Sequence, residues 1–195
     1  MHHLFDIPYL VSTYGYVGIF VIVFLESGIF FALPGDSLLF TAGILAAGGL
    51  LDVTILVPLI FVATLFGGLF GYWVGVNIEK LRRYIVFKKI LKDEYIRKAH
   101  VFFSKHGRSA IIFSRFVPVV RTFAPIVAGV ARMDKKAFVR YSVISSLLWS
   151  VLVTFLGFFL GQSFPWLTDY MPLLIGIVVV LSLIPPLVEV FRKRK

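Results

Sequence analysis

Four charged residues interrupt apolar sequence. Glu26 and Asp36 lie in FLESGIFFALPGDSLLFTAG, and Arg115 and Arg121 in FSRFVPVVRTFAPIVAGVARM. Carboxylates can take up and release protons, whereas a guanidinium stays charged and holds phosphate or carboxylate through paired N–H groups. At the centre of a bilayer each unpaired charge costs ~3 kcal/mol even on lenient scales. Four together would cost on the order of 10 kcal/mol, comparable to the stability of a whole protein. They therefore need one another or a watery cavity.

The spacing suggests how they meet. On an unbroken helix, residues six apart are rotated by ~600°, so Arg115 and Arg121 would face well apart. Pro118 between them breaks the helix and lets both turn toward one cavity. Glu26 and Asp36 follow the same logic, with the turn former Pro34-Gly35 between them. A break also leaves free backbone N–H groups and a positive dipole end. Thr122, next to Arg121, is the expected N-cap of the returning half-helix, and with the two arginines it would complete a phosphate or carboxylate receptor. Plainer readings stay open. Asp36 can cap a helix starting at Ser37, Glu26 and one arginine can form a static buried pair, and both arginines can snorkel to an interface.

Other candidate groups carry less. Gly67, Gly71 and Gly75 read as close helix packing. Ser114 reads as a packing hydroxyl, because no His–acid partner for nucleophilic catalysis is visible. The chain has no cysteine, and its histidines are His2 and His3 at the terminus and His100 and His106 in a basic stretch. No metal, no cofactor and no enzymatic activity are expected.

The elements that must position the four charges are membrane helices. Hydrophobic residues make up 59% of the chain, and the mean hydropathy is +0.93. Charge-free stretches run over Ile7–Leu25, Thr54–Val76, Tyr141–Leu160 and Tyr170–Val188. Each is near or above the ~18–20 residues that span hydrocarbon. Residues 1–26 hold no Lys or Arg, so the N-terminal segment lacks the basic region of a signal peptide and is expected to be retained.

The net charge of +10 does not point to nucleic acid. The first basic residue is Lys80, ten of the twenty lie between Lys80 and Arg108, and four close the chain as RKRK. Cations that flank apolar segments mark the cytoplasmic side and attract anionic headgroups.

Threading the chain with basic clusters inside places the C-terminus in the cytoplasm. It also leaves Ser109–Ala131 with basic flanks at both ends, so that segment is expected to be a re-entrant hairpin over about 109–131. Its breaks are Pro118 and Pro125, and Gly129 allows close packing. A second hairpin, over about 17–50, is expected to enter from the other face, with Pro34 and Gly35 as its break. Opposed, interrupted segments in two halves are the sign of an inverted repeat. The expected fold is therefore an all-α polytopic membrane protein in a single domain over 1–195, with half one over 1–76 and half two over 109–195. The connector over 77–108, with Leu81, Ile85, Ile90, Leu91, Tyr95 and Ile96 at roughly helical spacing, either lies on the inner leaflet or packs on the protein.

These two motifs, together with GYWVG (Gly71–Gly75) and FFSKHG (Phe102–Gly107), resemble the DedA family of VTT-domain membrane proteins over roughly residues 15 to 160. The resemblance implies facing re-entrant hairpins in the bacterial inner membrane. It also implies transport of an anionic lipid carrier such as undecaprenyl phosphate, with dependence on the proton motive force. On that reading Arg115 and Arg121 bind phosphate, while Glu26 and Asp36 carry protons. Many members hold an acid and an arginine where this chain has Gly68 and Val76. The expected partners are a polyprenyl phosphate or anionic phospholipid and protons, with homo-oligomerisation open. The alternatives are a proton-coupled small-ion antiporter and a non-transporting envelope integrity factor.

Overall fold

The structure, a computed structural model, describes residues 7–28, 35–77 and 109–164. Pro34, the connector beyond Asn77, the four histidines and the expected Tyr170–Val188 span lie outside the described residues. Among the described residues there are helices and no strand. They are α1 (Ile7–Gly28), α2 (Gly35–Ala47), α3 (Val53–Val76), α4 (Ala110–Ser114), α5 (Pro118–Val130) and α6 (Lys135–Ser163).

Two of them, α3 with 24 residues and α6 with 29, are long and apolar enough to cross a bilayer. Their faces are inverted relative to a helix in water. On α6 the exposed side carries Leu147, Leu148, Leu152, Leu156 and Phe159, while Ser142, Ser145, Ser146, Ser150 and Thr154 are buried. On α3, Ile55, Phe66 and Trp73 are exposed and Thr64 is buried. Water would reverse that arrangement. Hydrocarbon favours it, because lipid takes the apolar side and hydroxyls shelter inside. The chain is an all-α membrane protein.

Local rules set the helix ends. α2 closes in a Schellman turn: Gly49 N–H donates to the Ala46 carbonyl at 3.1 Å and Leu50 N–H to the Leu45 carbonyl at 3.0 Å. The pivot, Gly49, has φ +78°, which glycine adopts without a Cβ clash. Asp52 then caps α3, its Oδ1 accepting from the Thr54 amide at 2.8 Å and the Thr54 hydroxyl at 2.6 Å. The second half repeats the sequence of devices. α5 closes with Arg132 N–H donating to the Gly129 carbonyl at 3.0 Å and Met133 N–H to the Ala128 carbonyl at 2.9 Å. Asp134 then caps α6, its Oδ2 accepting from the Ala137 amide at 2.8 Å.

The chain divides into two compact units. In the unit of Met1–Ile22, Ala32–Ile60 and Ser150–Lys195, α2 lies against the C-terminal part of α6. A Cβ on Gly43 would meet the Thr154 carbonyl, and would fall 2.9 Å from the Phe158 nitrogen and 3.0 Å from the Gly157 Cα. In the unit of Val23–Phe31 and Phe61–Trp149, α5 lies against the C-terminal part of α3 in the same manner. A Cβ on Gly75 would meet the Ile126 carbonyl and fall 3.0 Å from the Gly129 Cα. The end of α1 also joins this unit, with Gly28 set on the Gly67 backbone. Gly67, Gly71 and Gly75 thus mark backbone contact, as their spacing suggests. A small core of Ile111, Ala128 and Phe138 completes the second unit. Tyr72 stacks on Phe138 with centroids 4.4 Å apart and donates its hydroxyl to the Met133 carbonyl at 2.6 Å.

Candidate functional site

Pro118 does break the chain. It forces the residue before it away from helical geometry, and Val117 is extended at φ −115°, ψ 108°. The short α4 ends at Arg115, and α5 begins at Pro118, the position where a missing N–H costs nothing.

Two expectations are corrected here. Thr122 is not the N-cap of α5: Val117 holds that place, and Thr122 lies a full turn inside the helix. Its hydroxyl donates instead to the Glu26 carbonyl at 3.1 Å, one of the last carbonyls of α1 and thus one lacking an intrahelical partner. Pro125 is not a break either, since α5 runs through it to Val130. Pro125 cannot donate to the Arg121 carbonyl, yet its ring fills the space left by Gly71, and packing of this kind lets helices in membranes tolerate proline. Gly129 likewise lies within α5, as the point where that helix touches Gly75.

The break turns the two arginines to different neighbours. Arg121, 9% exposed, forms an ion pair with Glu26, itself 4% exposed. The carboxylate comes from the last turn of α1 and the guanidinium from the first turns of α5, so the pair ties together segments far apart in sequence. The Arg121 guanidinium carbon also lies 5.9 Å from the centre of the Trp149 ring, close enough for a cation–π contact. Phe116 packs edge-on against the same ring.

Arg115 is 4% exposed and takes a different set of partners. Its Nε donates to the Ser145 hydroxyl at 3.3 Å, and its Nη2 to the Ser146 hydroxyl at 3.0 Å and to the Thr64 carbonyl at 3.3 Å. All these acceptors are neutral. Among the described residues no carboxylate lies within ion-pair distance of Arg115. Ser114, beside it, bonds back to the Ile111 carbonyl at 2.7 Å, which fits a packing hydroxyl.

Gly35 and Asp36 open α2. The Asp36 side chain lies outside the described residues. What sequence reasoning missed is the hydroxyl row on α6. Ser142, Ser145, Ser146, Ser150 and Thr154 recur at helical spacing within YSVISSLLWSVLVTFLG, and that periodicity could have found it.

This is the constellation of an all-helical membrane protein with a charged interior, and comparison with known proteins places it in a family. The VTT domain matches residues 33–159. Protein DedA of Escherichia coli (strain K12) is 40% identical over 193 residues, covering 95% of this chain and 88% of that protein. Uncharacterized membrane protein ML0287 of Mycobacterium leprae is 38% identical over 177 residues, covering 88% and 78%. Inner membrane protein YqjA of Escherichia coli (strain K12) is 37% identical over 150 residues, covering 76% and 68%. No solved structure matches the chain. The chain belongs to the DedA family.

Proposed function

We propose that the protein moves an anionic lipid carrier of the undecaprenyl phosphate class between the leaflets of the bacterial inner membrane, with protons as the coupling ion. The observation that carries this reading is the buried Glu26–Arg121 pair in the same unit as a second buried arginine that no acid neutralises among the described residues. A proton arriving on Glu26 cancels its charge and releases Arg121, which can then hold a headgroup phosphate. Arg115, in the same unit, has only neutral partners among the described residues. Thr122 holds the end of α1, and so Glu26, against α5. Asp36, in the first turn of α2, is the second proton carrier.

The proline-opened helices α2 and α5 are, on this reading, the returning arms of two opposed re-entrant hairpins in an inverted repeat, with the RKRK terminus in the cytoplasm. The activity is transport rather than enzymatic conversion of the lipid.

The test is flipping of a fluorescent polyprenyl phosphate in proteoliposomes, with and without an imposed pH gradient. The parent protein should respond to the gradient. Glu26→Gln should insert normally and flip at the rate of empty liposomes. Parent-like flipping by Glu26→Gln would rule out the proton role, and equal flipping of an ordinary glycerophospholipid would rule out the substrate class. Radiolabelled ion flux that persists in Arg115→Ala would favour the small-ion antiporter instead.

A further inference from the structure

Arg115 is a buried cation whose compensation the described residues do not supply. Its two bidentate edges, Nε with Nη2 and Nη1 with Nη2, share Nη2, which already donates to Ser146 and the Thr64 carbonyl, while Nε donates to Ser145. A phosphate gripped in bidentate fashion needs such an edge, so that mode is closed here. The Nη1 end remains, and its N–H groups have no acceptor among the described residues.

Two hydroxyls on the helices that hold this guanidinium, α3 and α6, are unspent. The Oγ1 of Thr64 and the Oγ of Ser142 are buried, each residue 1% exposed, and neither has a hydrogen-bond partner. Ser145 differs, since it returns its proton to the Ser142 carbonyl at 3.1 Å. The Ser146 hydroxyl accepts from Arg115, and no acceptor is present for its own proton among the described residues. Opposite stands Gly68, where a Cβ would lie 3.1 Å from Nη2, with no other atom within 4 Å. The locality thus combines an uncompensated positive charge, surplus N–H and O–H donors, and no side chain at residue 68. Buried donors without acceptors and a cation without a counter-ion share one remedy, an anion small enough to accept from several directions.

We propose that Arg115 Nη1 with the hydroxyls of Thr64, Ser142 and Ser146 forms a site for a small monovalent anion of the chloride class, separate from the Arg121–Glu26 pair. A spherical anion accepts single N–H and O–H donors without the parallel fork a phosphate prefers, and it neutralises Arg115 while Arg121 is held by Glu26. The site goes beyond the transport reading and does not depend on it.

The experiment is thermal unfolding of the purified full chain in detergent, without added phospholipid. Sodium chloride is exchanged stepwise for sodium gluconate at constant ionic strength. The parent Tm should rise saturably with chloride, and also with bromide. Ser146→Ala and Thr64→Val should each raise the half-saturating concentration about tenfold, as loss of one hydrogen bond to a charged group implies. Gly68→Asp installs a carboxylate beside Nη2, so its Tm should no longer respond to chloride. Chloride-35 NMR line broadening, present with the parent and absent with Gly68→Asp, reads occupancy directly, whatever the variants do to stability. An identical parent Tm in chloride and gluconate overturns the proposal. So does a Gly68→Asp protein that still broadens the chloride line, or a saturable response to inorganic phosphate with none to chloride.

Discussion

Both α2 and α5 run for 13 residues, and each opens at a proline or directly after one. Each ends in a Schellman turn and passes the chain to an aspartate cap on a long apolar helix. Each also sets a glycine against a glycine of the long helix encoded in the other half of the sequence, α2 on α6 through Gly43 and Gly157, α5 on α3 through Gly129 and Gly75. Their contents diverge. The buried face of α5 carries Arg121 and Thr122, whereas the described buried positions of α2, among which the Asp36 side chain is not included, are Leu39, Thr41, Ala42, Gly43, Ile44, Leu45 and Ala46. Breaks, turns, caps and glycine contacts therefore form a scaffold that recurs in both parts of the chain.

The strongest way to break the comparison is at the glycine contacts. Gly75→Ala drives a methyl into the Ile126 carbonyl and the Gly129 Cα, and Gly43→Ala drives one into the Thr154 carbonyl and the Phe158 nitrogen. Each obstacle is backbone, so no rotamer change relieves it. Each substitution should cost about 1–3 kcal/mol, the usual range for overpacking. Gly18→Ala, which meets nothing within 4 Å, should cost nothing. Tm measurements in detergent decide the matter. A neutral Gly43→Ala beside a costly Gly75→Ala would mean that the two contacts are not equivalent.

The sequence made some of this legible and hid the rest for physical reasons. Pro118 was a readable break because its ring acts on its immediate neighbour, Val117, whatever the tertiary context. The need for Glu26 to meet an arginine was readable because burying a lone charge is costly in any fold. Pro125 was not readable as a tolerated interior residue, since that tolerance depends on the space at Gly71, far away in sequence. The same holds for Thr122, whose partner is a carbonyl at the end of α1. Which acceptors Arg115 would find depended on α3 and α6 bringing Thr64, Ser145 and Ser146 to it. Local grammar was written in the sequence, while partnerships across helices were not.

The Schellman turns sharpen the comparison at a smaller scale. One pivot is Gly49 at φ +78°, and the other is Arg132 at φ 50°, a left-handed residue that carries a Cβ. Gly49→Ala should destabilise by about 1–2 kcal/mol, the cost of that region for an L-residue. Arg132→Gly should raise the Tm through relief of the same strain. If Arg132→Gly lowers the Tm instead, the arginine makes a contact that outweighs its backbone cost, and the two turns differ in more than their pivot.

The smallest effect is expected at the Asp52 cap. Asp52 accepts first from the Thr54 hydroxyl and then from the Thr54 amide, and together these hold its carboxyl below the ordinary value of 3.8. Since the folded value lies below the unfolded one, the stabilisation is complete above the ordinary carboxylate range and is lost as pH falls through the folded value. The Tm difference between the parent and Asp52→Ala should therefore be constant near neutrality and shrink once the medium falls below about pH 4. Asp52→Asn can still accept from the amide but does not titrate, so its own Tm should lack that acid-side loss. The carboxylate is exposed, so the change is a modest one, and added salt should trim the part due to charge. A parent-to-alanine difference that stays level from neutrality into acid would show that the charge of Asp52 adds nothing to the hydrogen bonds.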